Sequence, residues 1–296
     1  MKYIITGSLG HISQPLVTAL VKAGHEAHVI TSNPSRVPAI EALGAKALVG
    51  SLEDTAFIND SFKGADAVYL MIPPNFGVTD WRAFQDKISD NYVSAIKAND
   101  IKYVVTLSSI GAHMGLGAGP VDGLAYLEQQ LKTLPTVAVK NLRPSYFFYN
   151  LFSLIPLIKN MNIMGSNFGT TEEKLVLTTT EDIADAATEE LLALNFTGQT
   201  VRYISSDERH PNEIAAVLSA AIGKPGIPWV PFSDEQSLGG MLQAGLPETI
   251  AVGYTTMGKA IRDGEMQKDY WENKPTPTGT LTLEGFAKQF AIAYNN

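Results

Sequence analysis

Short apolar runs alternate with segments of helical apolar spacing through the first half of the chain. The run Tyr3 to Thr6 is rich in β-preferred residues and predicts a strand buried on both faces. From Ile12 the apolar positions follow helical spacing, and the run Lys22-Ala23-Gly24-His25 is typical of a helix end. A second strand is predicted at Glu26 to Thr31. The first 31 residues therefore predict a complete βαβ unit.

The same alternation continues to residue 142. It predicts strands at 44–50, 67–72, 103–107 and 137–142, and helices at 35–43, 55–62, 80–99 and 123–133. Asp54 is expected to cap the helix at 55–62, because a carboxylate at a helix start accepts hydrogen bonds from free amides. This order of elements predicts an α/β fold with a doubly wound, mostly parallel sheet.

The second half is less regular and predicts a smaller α+β lobe. Thr180 is expected to cap a helix that runs to about Leu194, and a strand at 200–204 is expected to return to the sheet edge. A helix at 208–222 and a short strand at 229–232 follow. The loop 165–169 contains glycines that would let it close over a substrate, and an ordinary surface turn is the alternative. We predict a large domain of residues 1–150 with 176–206, and a substrate lobe of 151–175 and 207–296. The later apolar residues are assigned to the core: Met241, Leu242, Leu246 and Met257.

Composition narrows the function classes. With 296 residues, 45% hydrophobic and 18% charged, the chain is expected to be an ordinary soluble protein. A net charge of −8 without a run of Lys or Arg argues against a nucleic-acid surface. The absence of cysteine excludes disulfides and thiolate chemistry, and no metal-ligand spacing occurs. With no signal-peptide pattern and no apolar stretch long enough to cross a bilayer, the expected location is the cytoplasm.

The turn between the first strand and the first helix carries the main functional signal. It reads Thr6-Gly7-Ser8-Leu9-Gly10-His11-Ile12-Ser13. Gly7 can take the positive φ of a tight strand-to-helix turn, and Gly10, without a Cβ, lets a pyrophosphate approach the amides at the helix start. Two glycines alone could also belong to a strand–turn–helix that binds no ligand. The complete βαβ context favours a dinucleotide site.

In a dinucleotide site, the residues at the end of the second strand distinguish NADP from NAD. Residues 32–36 contain no acidic group to bind a ribose 2′-hydroxyl, and Arg36 adds a cation. Ser32, Asn33 and Arg36 therefore favour NADP, with NAD still possible. The alternative is that Arg36 is a solvated residue at the start of the next helix.

Three later segments lie where predicted strands end, the usual place for ligands in open α/β sheets. Ser51 and Leu52 are expected beside the adenine. Ile72, Pro73 and Pro74 end the fourth strand at the crevice. Ser108 and Ser109 follow the fifth strand beside the nicotinamide or a substrate carbonyl, although paired serines are also ordinary turn residues.

These motifs, in their order and spacing, resemble the NmrA-like proteins, which are atypical short-chain dehydrogenases/reductases of the NAD(P)-binding Rossmann superfamily. The resemblance implies a doubly wound sheet that binds NADP, with a small C-terminal lobe over the nicotinamide end. The family includes quinone-reductase-like enzymes and non-catalytic redox sensors. Two positions depart from the pattern: Ser13 replaces a third glycine, and Ser32 replaces a basic residue. The resemblance is carried by Gly7, Gly10, Asn33-Pro34, Gly44-Ala45, Gly50 to Asp54, Ile72-Pro73-Pro74, Ser108-Ser109, Leu142-Arg143-Pro144, Phe148 and Asn150.

The usual catalytic pair of this superfamily is absent from its expected helix. A reductase of this kind normally pairs a Tyr with a Lys four residues later, and Tyr126 is followed at that position by Gln130. Tyr270 and Lys274 match the spacing without the strand and serine context. Reduction of a simple ketone is therefore disfavoured, as is an epimerase. Hydride transfer to an electron-poor acceptor needs mainly positioning. His113 is a weak candidate for a proton donor, so we assign no catalytic residue.

The sequence thus predicts an NAD(P)(H)-binding protein that passes hydride to a quinone-like or other electron-poor small-molecule acceptor. The alternative is a redox sensor that acts through a regulatory protein partner. No nucleic acid, membrane or metal is expected, and the oligomeric state is open. The predicted cofactor contacts are Gly7, Leu9, Gly10, His11, Ile12, Ser32, Asn33, Arg36, Ser51, Leu52, Ile72, Pro73, Pro74, Ser108, Ser109 and Pro144.

Overall fold

A computed structural model describes residues 1–169, 173–274 and 279–296. Within those ranges the strands are β1 (Lys2–Ile5), β2 (Glu26–Thr31), β3 (Lys46–Val49), β4 (Ala67–Leu70), β5 (Tyr103–Leu107), β6 (Ala138–Pro144), β7 (Tyr146–Phe147), β8 (Met164–Ser166), β9 (Leu175–Thr178), β10 (Gln199–Ile204), β11 (Asp207–Arg209) and β12 (Trp229–Pro231). The helices are α1 (Ser13–Lys22), α2 (Val37–Ala42), α3 (Thr55–Ser61), α4 (Trp81–Ala98), α5 (Val121–Leu131), α6 (Ile155–Met161), α7 (Thr180–Ala193), α8 (Pro211–Ala221), α9 (Asp234–Gln243), α10 (Glu248–Arg262), α11 (Glu265–Glu272) and α12 (Leu283–Asn295). Short 3₁₀ turns lie at Pro34–Arg36, Ala112–Met114 and Phe148–Leu154.

Seven strands form one parallel sheet in the order β10-β6-β5-β4-β1-β2-β3. The sheet is wound outward from β1, which pairs with β2 on one side and β4 on the other. At this point the direction of winding reverses, so a crevice opens beyond the carboxyl ends of β1 and β4. The predicted doubly wound α/β fold is confirmed, as is the return of the strand at 199–204 to the sheet edge beside β6.

Local signals explain most helix starts. The Asp54 carboxylate accepts hydrogen bonds from the Ala56 and Phe57 amides, which confirms the predicted cap. Asp80 caps α4 in the same way. The predicted cap of α7 is wrong by one residue: the Thr179 hydroxyl accepts from the Asp182 amide at 3.0 Å, and Thr180 is already helical.

The remaining elements build a second core beside the large sheet. Strands β11, β9 and β7 form one small sheet, and β12 pairs with β8 in another. Their apolar residues pack with α8, α11 and α12, for example Leu177, Leu218 and Phe290, all buried. Of residues 176–206, only β10 joins the large sheet. The predicted domain boundaries stay a prediction.

Several predictions in this second core differ from the structure. Gly165 lies in β8 against the Val230 carbonyl, and a Cβ on Gly169 would meet the Trp229 indole, so 165–169 is packed against β12. Glu208 lies in β11, and the helix assigned to it begins at Pro211. Leu242 is 42% exposed rather than in the core, because α9 buries none of its residues. Among the described helices, none has both the length and the apolar character needed to span a bilayer.

Candidate functional site

The turn after β1 has the geometry that its glycines predicted. Gly7 has φ +92°, and a Cβ there would overlap the Met71 sulfur at the end of β4. Ser8 also takes a positive φ, 54°, and its hydroxyl donates to the Thr31 hydroxyl at 3.0 Å. These contacts fix the turn between the carboxyl ends of β1, β2 and β4.

The start of α1 presents backbone amides without a side-chain cap. Its N-cap residue, Ile12, makes no side-chain hydrogen bond, and the first turn contains no acidic residue. A Cβ added at Gly10 would meet only the Gly7 carbonyl oxygen, at 4.0 Å. Ser13 is buried and donates to the Thr6 carbonyl at 3.4 Å, so this serine packs closely where the family pattern has a glycine. Free amides, a positive helix end and an open approach over Gly10 are what a diphosphate needs.

A groove in two parts runs across the crevice, and the parts share Gly7, Pro73 and Pro74. One part, of about 400 Å³, lies at the ends of β2 and β3. The other, of about 340 Å³, lies at the ends of β1, β4, β5 and β6. The groove brings together most of the predicted cofactor contacts: Gly7, Gly10, His11, Ile12, Ser32, Ser51, Leu52, Ile72, Pro73, Pro74, Ser108, Ser109 and Pro144.

Three predicted contacts do not line the groove. Leu9 packs against the apolar core beside α1. The Asn33 side chain accepts a hydrogen bond from the Ser35 amide at 3.0 Å and so caps the 3₁₀ turn. Arg36 is exposed on that turn. The role of all three in cofactor binding stays a prediction.

A smaller cavity of about 150 Å³ adjoins the second part of the groove. The two share four lining residues, Ser109, Pro120, Phe147 and Tyr254. Its other walls come from the segment after β6, from β9 and from helices α10 and α11. Among the described residues, no acidic or basic side chain lines it: the remaining lining residues are Ile110, Ser145, Tyr146, Asn150, Leu175, Val176, Met257, Ile261, Met266 and Gln267. Such a cavity suits an uncharged, mostly apolar molecule.

A buried ion cluster lies directly behind the groove. Glu128 and Arg143 are 3% and 7% exposed, and they form two hydrogen bonds, of 3.0 Å from Nε and 2.6 Å from Nη2. Arg143 Nη1 also reaches Asp269 of α11 at 2.7 Å, and the Ser108 hydroxyl donates to Glu128 at 2.5 Å. Burial lowers the pKa of the Arg143 guanidinium, but the hydrogen bonds and charges of the two carboxylates outweigh it and hold the pKa above its ordinary value. The cluster ties the end of β6 to the second core.

Two residues considered for catalysis, Tyr126 and His113, do not line the groove. The Tyr126 hydroxyl donates to Asp90 of α4 at 3.0 Å, and the Arg82 guanidinium lies over its ring. His113 Nδ1 lies 4.0 Å from Asp269 Oδ2 in the ion cluster. Tyr270 and Lys274 both contact Glu208, with Tyr270 Oη at 2.7 Å and Lys274 Nζ at 2.9 Å. The hydroxyls of Tyr126 and Tyr270 are therefore both engaged with carboxylates of the protein.

Sequence reasoning missed several lining residues. Tyr254 and Trp81 line the groove from α10 and the start of α4, and their rings lie 5.8 Å apart. Phe147 and Tyr149 follow the Leu142-Arg143-Pro144 motif, which was a usable signal because it places them at a strand end. Tyr254 gave no such signal, since its helix reaches the groove only through tertiary packing.

A wide cleft on the described surface lies elsewhere. It has a volume of about 760 Å³ and is lined by residues of both charges, among them Lys268 and Glu272 on α11 and His210 before α8. It shares no lining residue with the groove or the apolar cavity. We therefore place the candidate site at the crevice of the large sheet.

Comparison with known proteins agrees with this architecture. A family model described as the NmrA-like family matches residues 2–227. The chain belongs to the NmrA-like family. This NmrA-like chain is 24% identical over 293 residues to the NAD(P)H azoreductase of Xenophilus azovorans, covering 98% of each chain.

Two solved structures show the same fold along almost the whole chain. The triphenylmethane reductase of Citrobacter sp. superposes with a TM-score of 0.78 at 17% identity, covering 99% of this chain and 100% of that one. The NADPH-dependent quinone oxidoreductase of Escherichia coli, complexed with NADPH, superposes with a TM-score of 0.76 at 19% identity, covering 97% and 99%. The NmrA-like protein therefore shares its fold with both along almost its whole length.

Proposed function

We propose that this NmrA-like protein is an NAD(P)H-dependent reductase that passes hydride to a flat, electron-poor, conjugated acceptor. The observation that carries the proposal is the apolar cavity beside the groove. It shares Ser109, Pro120, Phe147 and Tyr254 with the groove, and none of the described residues that line it is acidic or basic. A neutral quinone-like or azo-type molecule fits such walls, whereas a carboxylate would find no cation among the described lining residues.

The described residues fit NADP(H) in the groove. The uncapped amides of α1 and the open approach over Gly10 would hold the diphosphate. Ser51 and Leu52 would line the adenine side, and Ser108 and Ser109 the nicotinamide side. When bound, the reduced nicotinamide supplies the hydride. The protein's own residues then orient the two reactants and keep water away.

The names of the relatives support both the cofactor and the acceptor class. They are a NAD(P)H azoreductase, a triphenylmethane reductase and an NADPH-dependent quinone oxidoreductase. Azo compounds, triphenylmethane dyes and quinones are all conjugated and electron-poor, so each can accept a hydride directly. We therefore favour NADPH as the donor, and place this chain's acceptor in the same chemical class.

The position of Tyr126 argues against reduction of simple ketones. Its hydroxyl is engaged with Asp90, and Gln130 takes the place of the lysine that would lower its pKa. A ketone needs that acid, because its alkoxide is strongly basic. Electron-poor acceptors form far weaker bases and depend less on it.

The test combines binding and turnover in the purified protein. Calorimetric titration with NADPH and NADH, side by side, is expected to show binding with preference for NADPH. Loss of NADPH absorbance is expected with quinones and azo dyes, and no loss with simple ketones. Absence of NADPH oxidation across the whole quinone and azo panel would refute the reductase. If the protein then bound NADP⁺ and NADPH with different affinities, the sensor alternative would replace it.

A further inference from the structure

Three tyrosine side chains surround the junction of the groove with the apolar cavity. Tyr149 lines the groove, Tyr146 lines the cavity, and Tyr254 lines both. Among the described residues, the Tyr254 hydroxyl has no hydrogen-bonding partner, and the same holds for the Tyr146 and Tyr149 hydroxyls and for the buried Ser145 Oγ in the cavity wall. Ser109, the other hydroxyl residue shared by the two spaces, already donates to the Ile110 carbonyl at 2.9 Å. Of these unpartnered hydroxyls, that of Tyr254 is the one whose residue lines both spaces, so Tyr254 offers a free donor at their junction.

The helix that carries Tyr254 is held closely in place. A Cβ on Gly119 would overlap the Gly253 carbonyl oxygen, so the backbone of α10 touches the loop before α5. One turn later, the Asn167 side chain packs on Gly258 and donates to the Thr255 carbonyl at 2.8 Å. Both contacts depend on glycine and leave α10 little freedom to move. The Tyr254 ring also packs on Trp81 at 5.8 Å.

We propose that the Tyr254 hydroxyl donates a hydrogen bond to the acceptor atom on which negative charge develops during reduction. This inference rests on the proposed function. NADPH gives up a hydride and becomes NADP⁺. In a quinone the hydride forms an O–H bond at one carbonyl oxygen while the π electrons shift through the ring to the other oxygen; in an azo compound it forms an N–H bond at one nitrogen while the N=N π pair moves to the other. That atom then takes its proton from water. Until then, the hydrogen bond from Tyr254 stabilises the charge. Tyr126 cannot take this role, because it does not line the junction.

The surroundings of the Tyr254 hydroxyl keep it protonated, so that it can donate a hydrogen bond. Burial raises the pKa of Tyr254, so its O–H is retained at neutral pH. Burial also raises the pKa of Tyr146 and Tyr149, and the nearby Tyr254 raises both further, as expected for neighbouring phenols. Neither of these neighbours would remove the proton from Tyr254.

The first measurement is a series of quinones whose hydroquinones differ in acidity. Tyr254→Phe keeps the ring packing on Trp81 and removes only the donor. Loss of one such donor lowers kcat by about 10²-fold at a strongly charged centre, and we expect the largest loss, roughly 10–100-fold, with the quinone whose product anion is most basic. The loss should shrink along the series as the product anion becomes less basic, with KM nearly unchanged. Tyr126→Phe removes a hydroxyl outside the site and serves as the matched control.

The second measurement needs neither cofactor nor turnover. 4-Nitrophenol is titrated by its absorbance in the presence of the protein without NADPH. A donor at the cavity stabilises the bound phenolate, so the pKa of bound 4-nitrophenol should be lower with wild type than with Tyr254→Phe. Tyr126→Phe should behave as wild type, and thermal melting checks that each variant is folded.

Two outcomes overturn the inference while leaving the reductase intact. One is an active wild type whose Tyr254→Phe variant shows the same dependence on product basicity and the same pKa of bound 4-nitrophenol. The other is that Tyr146→Phe or Tyr149→Phe, and not Tyr254→Phe, produces both changes. Failure of the proposed function looks different, because wild type itself would then oxidise no NADPH.

Discussion

Arg143→Met is expected to destabilise the fold strongly. The guanidinium makes two hydrogen bonds to Glu128 and one to Asp269, and it is the cation between these two carboxylates. Glu128 is 3% exposed, so water cannot replace the lost cation. Methionine fills a similar apolar volume but leaves the Glu128 charge buried and uncompensated.

The magnitude follows from that burial. Removing one partner of a buried ion pair costs about 3–5 kcal/mol. For a chain of 296 residues, this corresponds to a fall in Tm of roughly 5–8 °C. Arg82→Met is the matched control, because Arg82 pairs with Asp86 one helical turn away and their side chains are 38% and 30% exposed. An exposed pair of this kind contributes only about 0.3–0.5 kcal/mol.

Urea denaturation followed by tryptophan fluorescence measures these free energies, and a double-mutant cycle isolates the pair. Glu128→Gln removes the charge while its amide oxygen still accepts the Ser108 hydrogen bond. The double variant no longer carries the uncompensated Glu128 charge. Its loss of unfolding free energy should therefore be smaller, by at least ~1.5 kcal/mol, than the sum of the losses of the two single variants. Additive losses, or an Arg143→Met loss no larger than that of Arg82→Met, would refute the reasoning.

The remaining predictions concern the diphosphate corner and α9. Gly10→Leu fills the approach to the α1 amides, so the calorimetric Kd for NADPH should rise at least ~10-fold. Gly240→Leu on α9, where a Cβ meets nothing within 4 Å, should cause no such rise; equal affinities of wild type and Gly10→Leu would contradict the site. The Arg262 guanidinium and then Asn167 lower the pKa of Asp234 to about 2 from a usual value of 3.8. Because a depressed carboxyl pKa adds stability above its unfolded value, Asp234→Asn should lower the urea midpoint at pH 7, and the difference should fade as the pH drops from about 4 to 2. A difference in urea midpoint between wild type and Asp234→Asn that grows as the pH falls would contradict this prediction.

Signals that act over a few residues predicted the large sheet well. Strands β2 and β5 have the bounds that their apolar runs predicted, and Asp54 caps its helix as expected. The doubly wound, parallel character of the sheet followed from the regular alternation of strands and helices. Thr179 and Thr180 show the limit of local signals, because both can cap and only the helix register decides between them.

The lining of the groove, the candidate site, was predictable where one short segment builds it. The turn at Gly7 and Gly10 and the strand ends at Pro73 and Ser108 all line the groove. Tyr254 was not predictable, because it reaches the junction through the contact of Gly119 with Gly253. The ion pair of Arg143 with Asp269 joins residues far apart in sequence, and no periodicity connects them.

The placement of β10 at the sheet edge has a consequence for synthesis of the protein. Strand β6 is complete at residue 144, but its outer neighbour ends only at Ile204, after the chain has passed through β7, β8 and β9. At ~5–20 residues per second, the ribosome therefore needs about 3–12 s to deliver the strand that covers this edge. During that time a row of unpaired backbone groups is open to other nascent chains. A chain cut at residue 150 would keep that edge permanently, and we expect it to aggregate.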